Sequence, residues 1–365
     1  MAEDVFAAGE QSSQADLVRD GSAAGSSGAH LIRLMMTAWA VQGIRVFVRF
    51  GIGEVLADGR KSVEQIAASV DADAPTLYRM LRMLSDFEVV QEFEGRRFEL
   101  GPLGDVLRRD APGSLAAYVR WHDHPAHDAV WAALHRSVKT GRPAWQEVHG
   151  VPMFESMAEP QNRELAETFG QAMKAVAGEI IAPVLAAYDF GRFDLVVDVG
   201  GGAGHLLGAI LAANPEVRGI LLDTPGVLPS AREHLARIGV LDRCLLQPGD
   251  FFREVPAGDA YLLSNIIHDW DDDRSVDILR NCRRAMRPGA TLLLSEYLLP
   301  DPVAKLVDLQ MLMTTDNGRQ RTRGEFKALL ARAGWRLTRV IETEQASASL
   351  VEAVADNVAI DAGGG

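Results

Sequence analysis

The sequence is poor in cysteine and has no excess of positive charge, and each absence excludes a class of protein. Its 365 residues contain two cysteines, Cys244 and Cys282, too few for a disulfide framework. The formal net charge of −13 disfavours nucleic acid and anionic membranes as partners. No charged and then apolar signal segment opens the chain, and we expect no apolar run of membrane-spanning length. The sequence therefore predicts a cytoplasmic protein.

Length and composition predict more than one domain. With 47% apolar residues the chain has ample material for two cores. We predict a leader over residues 1–28, a first domain over 29–111, a helical segment over 112–190 and a second domain over 191–358. The leader is rich in Ala, Ser, Gly and Asp with little apolar content, which is typical of disorder.

A long apolar helix is predicted near the start of the first domain. Residues His30 to Leu56 carry apolar side chains at helical spacing, more than a small domain is expected to bury by itself. Either a partner subunit covers this face, which would make the protein a homodimer, or the helix lies inside the domain core. The residues alone leave both alternatives open.

The rest of the first domain has the order of a winged helix. A helix capped by Ser62 precedes a second helix over Leu77–Phe87, and two short strands follow, Val89–Phe93 and Arg97–Leu100. Many winged helices bind DNA. Residues 30–110, however, contain eleven Lys and Arg against twelve Asp and Glu, so no basic face is available for phosphates. We predict the fold without the DNA-binding function.

The helical segment contains three histidines close together, His122, His124 and His127. Their irregular spacing, interrupted by Pro125, matches no common zinc-ligand pattern, and we predict no metal. Further along, Phe169 and Met173 lie four residues apart on one face of a predicted helix. Such a pair is more often core than pocket.

A glycine-rich turn opens the second domain. Asp198–Gly204 reads Asp-Val-Gly-Gly-Gly-Ala-Gly between a predicted strand and a predicted helix. A side chain at Gly200 or Gly202 would fill the space that a nucleotide-type cofactor needs. The third glycine of a dinucleotide fingerprint is absent, because His205 occupies its position. The spacing favours S-adenosylmethionine, with a merely tight turn as the alternative.

Strands and helices alternate through the second domain, which predicts a parallel sheet covered on both faces. Ligands bind at the carboxyl ends of such strands. Polar residues follow each of the five predicted strands there: Asp198; Asp223; Asp250 with Phe251; Ser264, Asn265 and His268; and Glu296. Asp223 is expected to accept both ribose hydroxyls, Asp250 the adenine amine, and Phe251 to cover the adenine ring.

Six segments, in this order, resemble the S-adenosylmethionine-dependent O-methyltransferases of the caffeic-acid type, and most closely their bacterial branch acting on aromatic antibiotic intermediates. They are Asp198–Gly204, Leu221–Pro225, Gly249–Phe252, Ile266–Trp270, Arg287–Ala290 and Ser295–Pro300. The resemblance extends over nearly the whole chain from about His30. It implies a Rossmann-like class I methyltransferase domain of α/β class, with a helical winged-helix domain that dimerises.

The resemblance also implies roles for individual residues. His268 matches the general base that takes the proton of a substrate hydroxyl, and Glu296 the acid that orients its imidazole. The implied cofactor contacts are Gly200, Gly202, Asp223, Asp250, Phe251 and Ser264. The implied acceptor pocket, for a small phenolic aromatic substrate, is formed by Phe154, Phe169, Met173, Met311 and Thr315.

One position departs from the family pattern. The second carboxylate beside the family histidine is replaced here by Gln320, which can form a hydrogen bond but cannot stabilise an imidazolium charge. An enzyme of the same fold that decarboxylates or hydroxylates without methyl transfer is therefore the first alternative. A ligand-sensing winged-helix regulator is the second.

Overall fold

The computed structural model describes residues 27–343 and 348–356, and the chain divides into two compact units at Arg120/Trp121. The predicted leader over residues 1–28 lies outside the described residues, except that Ser27 and Gly28 begin the first helix.

The first unit contains the predicted helix, turn, helix and hairpin. Its elements are α1 (Ser27–Arg49), α2 (Ile52–Leu56), β1 (Lys61–Ser62), α3 (Val63–Val70), α4 (Ala74–Ser85), β2 (Val90–Phe93), β3 (Arg97–Leu100), α5 (Pro102–Val106) and the start of α6 (Ala116–His122). Ser62 and Gln65 form a capping box at the start of α3, and Asp73 caps α4. The single apolar helix expected over His30–Leu56 is interrupted, because Gly51 adopts a left-handed conformation with φ of 65°.

Two helical stretches are long and apolar enough to span a membrane, which the sequence analysis did not expect. They are Ser27–Arg49 and Pro160–Ala187, and 22% and 17% of their most apolar windows are buried. The prediction that no apolar run reaches membrane-spanning length was therefore wrong, judged by helix length and composition alone. In α1 the apolar side chains at Met35 and Trp39 are 65% and 63% exposed.

The second unit begins with short helices that precede the sheet: the end of α6, α7 (Pro125–Ala132), α8 (Leu134–Thr140), α9 (Ala144–His149), α10 (Met153–Ala158) and the long α11 (Arg163–Ala187). They share a core that contains the buried Trp121 and Trp145, with ring centroids 6.1 Å apart, and Met313 from a later helix. The two tryptophan rings therefore stack within a core that aliphatic side chains complete.

A twisted sheet forms the centre of the second unit. Its strands are β4 (Leu195–Val199), β5 (Arg218–Asp223), β6 (Cys244–Pro248), β7 (Ala260–Ser264), β8 (Thr291–Leu299), β10 (Trp335–Glu342) and β11 (Ala348–Ala355). Their order across the sheet is β10-β11-β8-β7-β4-β5-β6, and β9 (Arg321–Thr322) pairs with β8. The five predicted strands are all present and parallel. The antiparallel β10 and β11 were not predicted.

Helices cover both faces of this sheet. They are α12 (His205–Ala213), α13 (Leu228–Arg237), α14 (Asp272–Ala285), α15 (Pro302–Thr314) and α16 (Arg323–Arg332). Two buried apolar clusters lie on opposite faces, one including Val197 and Leu292 and the other Val196 and Leu293. Chain order runs outward from β4 in both directions, through β5 and β6 on one side and β7 and β8 on the other. The carboxyl ends of β4 and its neighbours therefore meet at a topological switch point.

Candidate active site

The glycine turn after β4 is held in a conformation that excludes side chains. Gly200, Gly202 and Gly204 have φ angles of 72°, 58° and 73°, a region that glycine adopts without strain. A Cβ at Gly200 would lie 2.6 Å from Ile266 Cδ1, whereas a Cβ at Gly202 would meet nothing within 4 Å. The backbone at Gly202 therefore borders open space.

Asp223, at the end of β5, is tied to this turn. Its Oδ2 accepts a hydrogen bond of 2.8 Å from the Gly202 backbone, and its Oδ1 accepts one of 2.6 Å from Thr224. Burial raises the pKa of the Asp223 carboxyl, while these hydrogen bonds oppose the rise. Asp198 is almost fully buried, and burial together with the nearby Asp223 raises its pKa to about 7.

The third and fourth strand ends bring further predicted cofactor residues to the same edge. Asp250 follows β6, where its Oδ1 accepts a hydrogen bond of 2.9 Å from the Phe252 backbone. The Phe251 ring lies 6.2 Å from that of Trp270 in an edge-on arrangement, and Phe251 Cε1 would be 3.5 Å from a Cβ at Gly200. Ser264 ends β7, with Ser295 of β8 beside it in register.

These residues fit the S-adenosylmethionine that the sequence predicts. Gly200 leaves no room for a side chain, Gly202 faces open space, and Asp223 has carboxylate acceptors at the next strand end. A carboxylate there suits ribose hydroxyls, and the Phe251 ring suits a flat base.

His268 and Glu296 meet in the buried interior. His268 lies in a single 3₁₀ turn after β7, and Glu296 projects from β8 with no exposed surface. His268 Nδ1 is 2.8 Å from Glu296 Oε2, while Glu296 Oε1 accepts a hydrogen bond of 2.9 Å from the Ile267 backbone. The carboxylate thus holds both the imidazole and the turn that carries it.

The charges around His268 favour its protonated form. Burial of the ring works against protonation, but the charge and hydrogen bond of Glu296, together with Asp269, outweigh it and raise the pKa of His268 to about 9. Asp269 Oδ1 lies 3.7 Å from His268 Nε2, and burial raises the pKa of Asp269 to about 7. A raised imidazole pKa means a strong but mostly protonated base at neutral pH.

Two residues near His268 come from the distant β9 region. Gln320 Nε2 lies 3.1 Å from His268 Nδ1, and Arg321 donates hydrogen bonds of 3.0 and 2.9 Å to the carbonyl oxygens of Ile267 and Trp270. Asp272 Oδ1 accepts from Arg321 at 2.8 Å. The position of Arg321 was not predicted, because a single arginine in a polar segment carries no signal of burial.

Aromatic rings line the region beside the histidine. Phe154 is 6.2 Å from Phe169, edge to face, and 6.1 Å from Trp270, stacked at 25°. Phe169 in turn lies 5.1 Å from Trp121. The structure brings the rings of Phe154 and Phe169 together and places Trp270 and Trp121 beside them. The Trp270 ring lies 6.1 Å from that of Phe154 and 6.2 Å from that of Phe251, so it stands between a predicted acceptor residue and a predicted cofactor residue.

Of the remaining predicted acceptor residues, Met173 and Met311 lie on two helices, and Thr315 directly follows the second of these. Met173, on α11, packs against the aromatic core that contains Trp121. Met311 on α15 is buried, and Thr315 donates through Oγ1 to the Met311 carbonyl at 2.8 Å. Thr315 Oγ1 also accepts from the Gly318 backbone, and a Cβ at Gly318 would lie 2.3 Å from the His268 carbonyl oxygen. The segment after α15 therefore packs directly against the histidine turn.

The three clustered histidines have structural roles. His124 Nδ1 accepts from the Ala126 backbone at the start of α7, and the buried His127 accepts from Trp131 Nε1 at 3.4 Å. The His122 ring lies 4.6 Å from that of His127. Within residues 27–343 and 348–356, no three or more His, Cys, Asp or Glu side chains gather in a way that would hold a metal ion.

The sequence is similar to known methyltransferases over most of its length. A profile of the O-methyltransferase domain matches residues 131–336. The phenazine O-methyltransferase PhzM of Lysobacter antibioticus is 40% identical over 88% of this chain and 95% of its own. The mitomycin biosynthesis 6-O-methyltransferase of Streptomyces lavendulae is 36% identical over 87% and 92%. The 8-amino-8-demethylriboflavin N,N-dimethyltransferase of Streptomyces davaonensis is 36% identical over 77% and 82%.

Solved structures show the same similarity in three dimensions. The crystal structure of LaPhzM superposes with a TM-score of 0.84 at 39% identity, covering 91% of this chain and 100% of that one. The structure of CalO1, a methyltransferase in calicheamicin biosynthesis in its SAH-bound form, superposes with a TM-score of 0.79 at 30% identity, over 90% and 98%.

Proposed function

Because this chain belongs to the O-methyltransferase family and is an S-adenosylmethionine-dependent enzyme of that family, we propose that its acceptor is a phenolic hydroxyl of an aromatic secondary metabolite and that His268 is the general base. The relatives named above act on aromatic natural products, which supports this choice of acceptor.

One observation carries the proposal: a buried imidazole is held by a buried carboxylate 2.8 Å away, and this histidine lies two residues after Ile266, whose side chain lies against Gly200 of the glycine turn. S-adenosylmethionine supplies a methyl group on a positively charged sulfur, and its transfer to oxygen is an in-line displacement. A phenol with a pKa near ~10 is a poor nucleophile at pH 7 until a base takes its proton. His205, which follows the glycine turn, is paired with His234 at 3.1 Å, whereas His268 is the imidazole that contacts a buried carboxylate.

The path of the proton follows from the contacts of His268. Glu296 faces Nδ1 and favours a proton there, so that Nε2 keeps its lone pair for the hydroxyl of the acceptor. When Nε2 takes that proton, the imidazolium is stabilised by Glu296 and by Asp269, whose Oδ1 is 3.7 Å from Nε2. Arg321 holds the carbonyl oxygens on both sides of the histidine and so fixes the position of the ring.

The aromatic lining supports a flat, apolar acceptor. Phe154, Phe169 and Trp270 present ring faces and edges, which pack well against another aromatic ring and exclude water. Removing solvent while aligning oxygen, methyl carbon and sulfur supplies much of the rate of such a displacement. Met173, Met311 and Thr315 are proposed to complete this pocket, since the resemblance assigns them there.

Some relatives methylate nitrogen, and an aromatic amine is the second acceptor that we consider. The buried His268–Glu296 pair favours oxygen, because a phenol needs a base more than a neutral amine does.

Membership of the methyltransferase family disfavours decarboxylation or hydroxylation without methyl transfer. The near-neutral first domain argues against a DNA-binding regulator, and we propose a cytoplasmic enzyme that binds neither nucleic acid nor membrane.

The test is release of S-adenosylhomocysteine in the presence of matched hydroxyl and amino aromatic acceptors. We expect turnover with the hydroxyl acceptors and a loss of about 10²- to 10⁴-fold in His268→Ala, with binding of S-adenosylhomocysteine retained. His268→Ala with unchanged turnover would overturn the base assignment, and turnover restricted to amines would overturn the choice of acceptor atom.

We also propose that the protein is a homodimer in which the first domain, a winged helix, pairs through α1. Large apolar side chains of this helix face solvent in the single chain: Leu31, Ile32, Leu34, Met35, Met36, Trp39 and Val41. Analytical ultracentrifugation is expected to show a dimer, and the double substitution Met35→Glu, Trp39→Glu to give folded monomers. A wild-type monomer at micromolar concentration would contradict this proposal.

A further inference from the structure

His268 Nδ1 has two neighbouring side chains that differ in whether they can only accept a hydrogen bond or can also donate one. Glu296 Oε2, at 2.8 Å, is a carboxylate oxygen and can only accept a proton. The Gln320 side chain, with Nε2 at 3.1 Å, ends in an amide that has one donating and one accepting atom. The state of Nδ1 therefore depends on which amide atom faces it.

With the amide nitrogen facing Nδ1, the histidine is in the wrong state for a base. The nitrogen then donates to a bare Nδ1, and the proton of the neutral ring sits on Nε2, where a base needs a lone pair. Glu296 Oε2 and Gln320 Oε1 are both buried and, among the described residues, both lack a hydrogen-bond partner in this arrangement. Unsatisfied buried acceptors are costly, most of all when one is charged.

A half-turn of the Gln320 amide reverses this situation. Gln320 Oε1 then faces Nδ1, and one Nδ1–H is shared between the glutamine oxygen and the Glu296 carboxylate. Glu296 Oε2 and Gln320 Oε1 then both accept a hydrogen bond from Nδ1–H. The Gln320 amide nitrogen is the one atom of this group that is left without a partner. The neutral imidazole now carries its lone pair on Nε2, the atom that faces Asp269 and away from Glu296.

We propose that Gln320 is a positioning residue that selects the tautomer of His268: its carbonyl oxygen accepts Nδ1–H in the working enzyme, and the reversed amide holds the histidine in a form that cannot act as a base. The inference rests on the proposed role of His268. A carboxylate at this position, as in the family pattern, could only accept and would add a second negative charge. Glutamine fixes the same tautomer without that charge.

The charged surroundings of His268 determine what this replacement does. Glu296 of β8 and the adjacent Asp269 favour the imidazolium, whereas Arg321 of β9, itself paired with Asp272 of α14, disfavours it. A second carboxylate in place of Gln320 would add to the effect of Glu296 and Asp269. It would raise the pKa of His268 further, so the imidazolium would be harder to deprotonate. The backbone of Gln320 is fixed by a hydrogen bond of 2.8 Å to Asp308 Oδ1, so a substitution there changes the side chain without freeing the loop.

The first experiment compares the pH profiles of kcat/KM for wild type, Gln320→Glu and Gln320→Met. We expect Gln320→Glu to move the acid limb to higher pH by about 1 to 3 units, with the plateau at high pH retained. We expect Gln320→Met, similar in size but unable to accept the proton, to lower the plateau about 10- to 100-fold. Gln146→Glu, an exposed change on α9, is the matched control for added charge and should leave the profile unmoved.

The second experiment observes the tautomer itself by ¹⁵N NMR of histidine-labelled enzyme bound to S-adenosylhomocysteine. We expect the His268 signals, assigned by their loss in His268→Gln, to report a proton on Nδ1 above the acid limb in wild type and Gln320→Glu. In Gln320→Met, where Nδ1–H keeps the Glu296 carboxylate but loses its second acceptor, a measurable fraction should carry the proton on Nε2.

Two outcomes would overturn the inference: superimposable pH profiles for all three proteins, or a proton on Nε2 in active wild-type enzyme. If His268→Ala keeps full turnover, the proposal that His268 is the base is wrong. If His268→Ala loses turnover but the Gln320 substitutions have no effect, only the role of Gln320 is rejected. Unchanged thermal unfolding and S-adenosylhomocysteine binding in each variant would exclude misfolding as the cause.

Discussion

The glycine turn and the histidine centre lie at one edge of the same sheet, yet they are assembled differently. In the glycine turn, the hydrogen bond between Gly202 and Asp223 joins residues 21 positions apart, on successive strands of one β-α-β unit. In the histidine centre, His268 meets Gln320 from 52 positions away, and Ile267 meets Glu296 from 29. One site is a local motif, and the other is a meeting of distant segments.

The difference matters for how each site tolerates change. The glycine turn depends on the absence of side chains, so the addition of a single methyl group damages it. The histidine centre depends on charge and on donor and acceptor pairing, so an isosteric replacement is enough to alter it. The glycine turn is therefore sensitive to added side-chain volume, and the histidine centre is sensitive to changes in charge and hydrogen bonding.

Removing the charge of Glu296 should lower turnover strongly while leaving His268 in place. In Glu296→Gln the backbone of Ile267 keeps an acceptor, but the imidazolium loses its carboxylate, and kcat/KM should fall about 10²- to 10³-fold. Glu352→Gln is the matched control, since Glu352 is also a buried carboxylate of this sheet but binds Tyr188 and Arg339. An equal loss in both variants would mean that the charge acts on folding and not on catalysis.

The two glycines of the turn should separate folding from donor binding. Gly202→Ala places its methyl group in open space, so the variant should fold with a penalty of about 1–2 kcal/mol from its positive φ. Its affinity for S-adenosylhomocysteine should nevertheless fall about tenfold or more, because that space is proposed to hold the cofactor. Gly113→Ala, with φ of 70° and equally open surroundings, supplies the same backbone strain away from the site and should bind normally. Gly200→Ala, which meets Ile266, should lose both stability and binding.

The pH dependence of turnover tests the electrostatic half of the comparison. Glu296 and Asp269 raise the pKa of His268 above its ordinary value, so the neutral base is lost as pH falls. Below that pKa, kcat/KM should drop about tenfold per pH unit, and it should level off at alkaline pH. In Glu296→Gln the same limb should move to lower pH. A profile flat from pH 6 to 9 would contradict His268 as the titrating base.

The smallest expected effect concerns the arginine behind the histidine turn. Arg321→Met would leave the carbonyl oxygens of Ile267 and Trp270 with only the long hydrogen bonds of 3.3 and 3.4 Å from Ser275 Oγ and of 3.4 Å from the Trp270 backbone to Ile267, which should cost about 1–3 kcal/mol of unfolding free energy in urea titrations. Arg319→Met removes a half-exposed arginine that shares Asp272 and should cost about 0–1 kcal/mol. Equal losses in the two variants would show that the buried carbonyl contacts contribute little.

Much of the fold followed from local patterns. Alternating strands and helices predicted all five parallel strands, and the capping residue Ser62 marked a helix start in the first unit, whereas the cap of the next helix by Asp73 was not predicted. The break after Arg49 was missed, because the left-handed Gly51 sits within a continuous apolar pattern. The antiparallel strands β10 and β11 were not predicted either, because no pattern in their own residues indicates that they pair beyond β8 in the sheet.

The sequence by itself determined the glycine turn, the polar residues at the strand ends and the family, because these depend on spacing within short segments. Only the tertiary structure decided that Arg321 holds the turn that carries His268, that Trp270 lies between Phe154 and Phe251, and that Asp269 Oδ1 lies 3.7 Å from Nε2. The physical reason is distance along the chain: hydrogen bonds and charges act over a few ångströms in space. No periodicity records which distant segments the fold brings within that range.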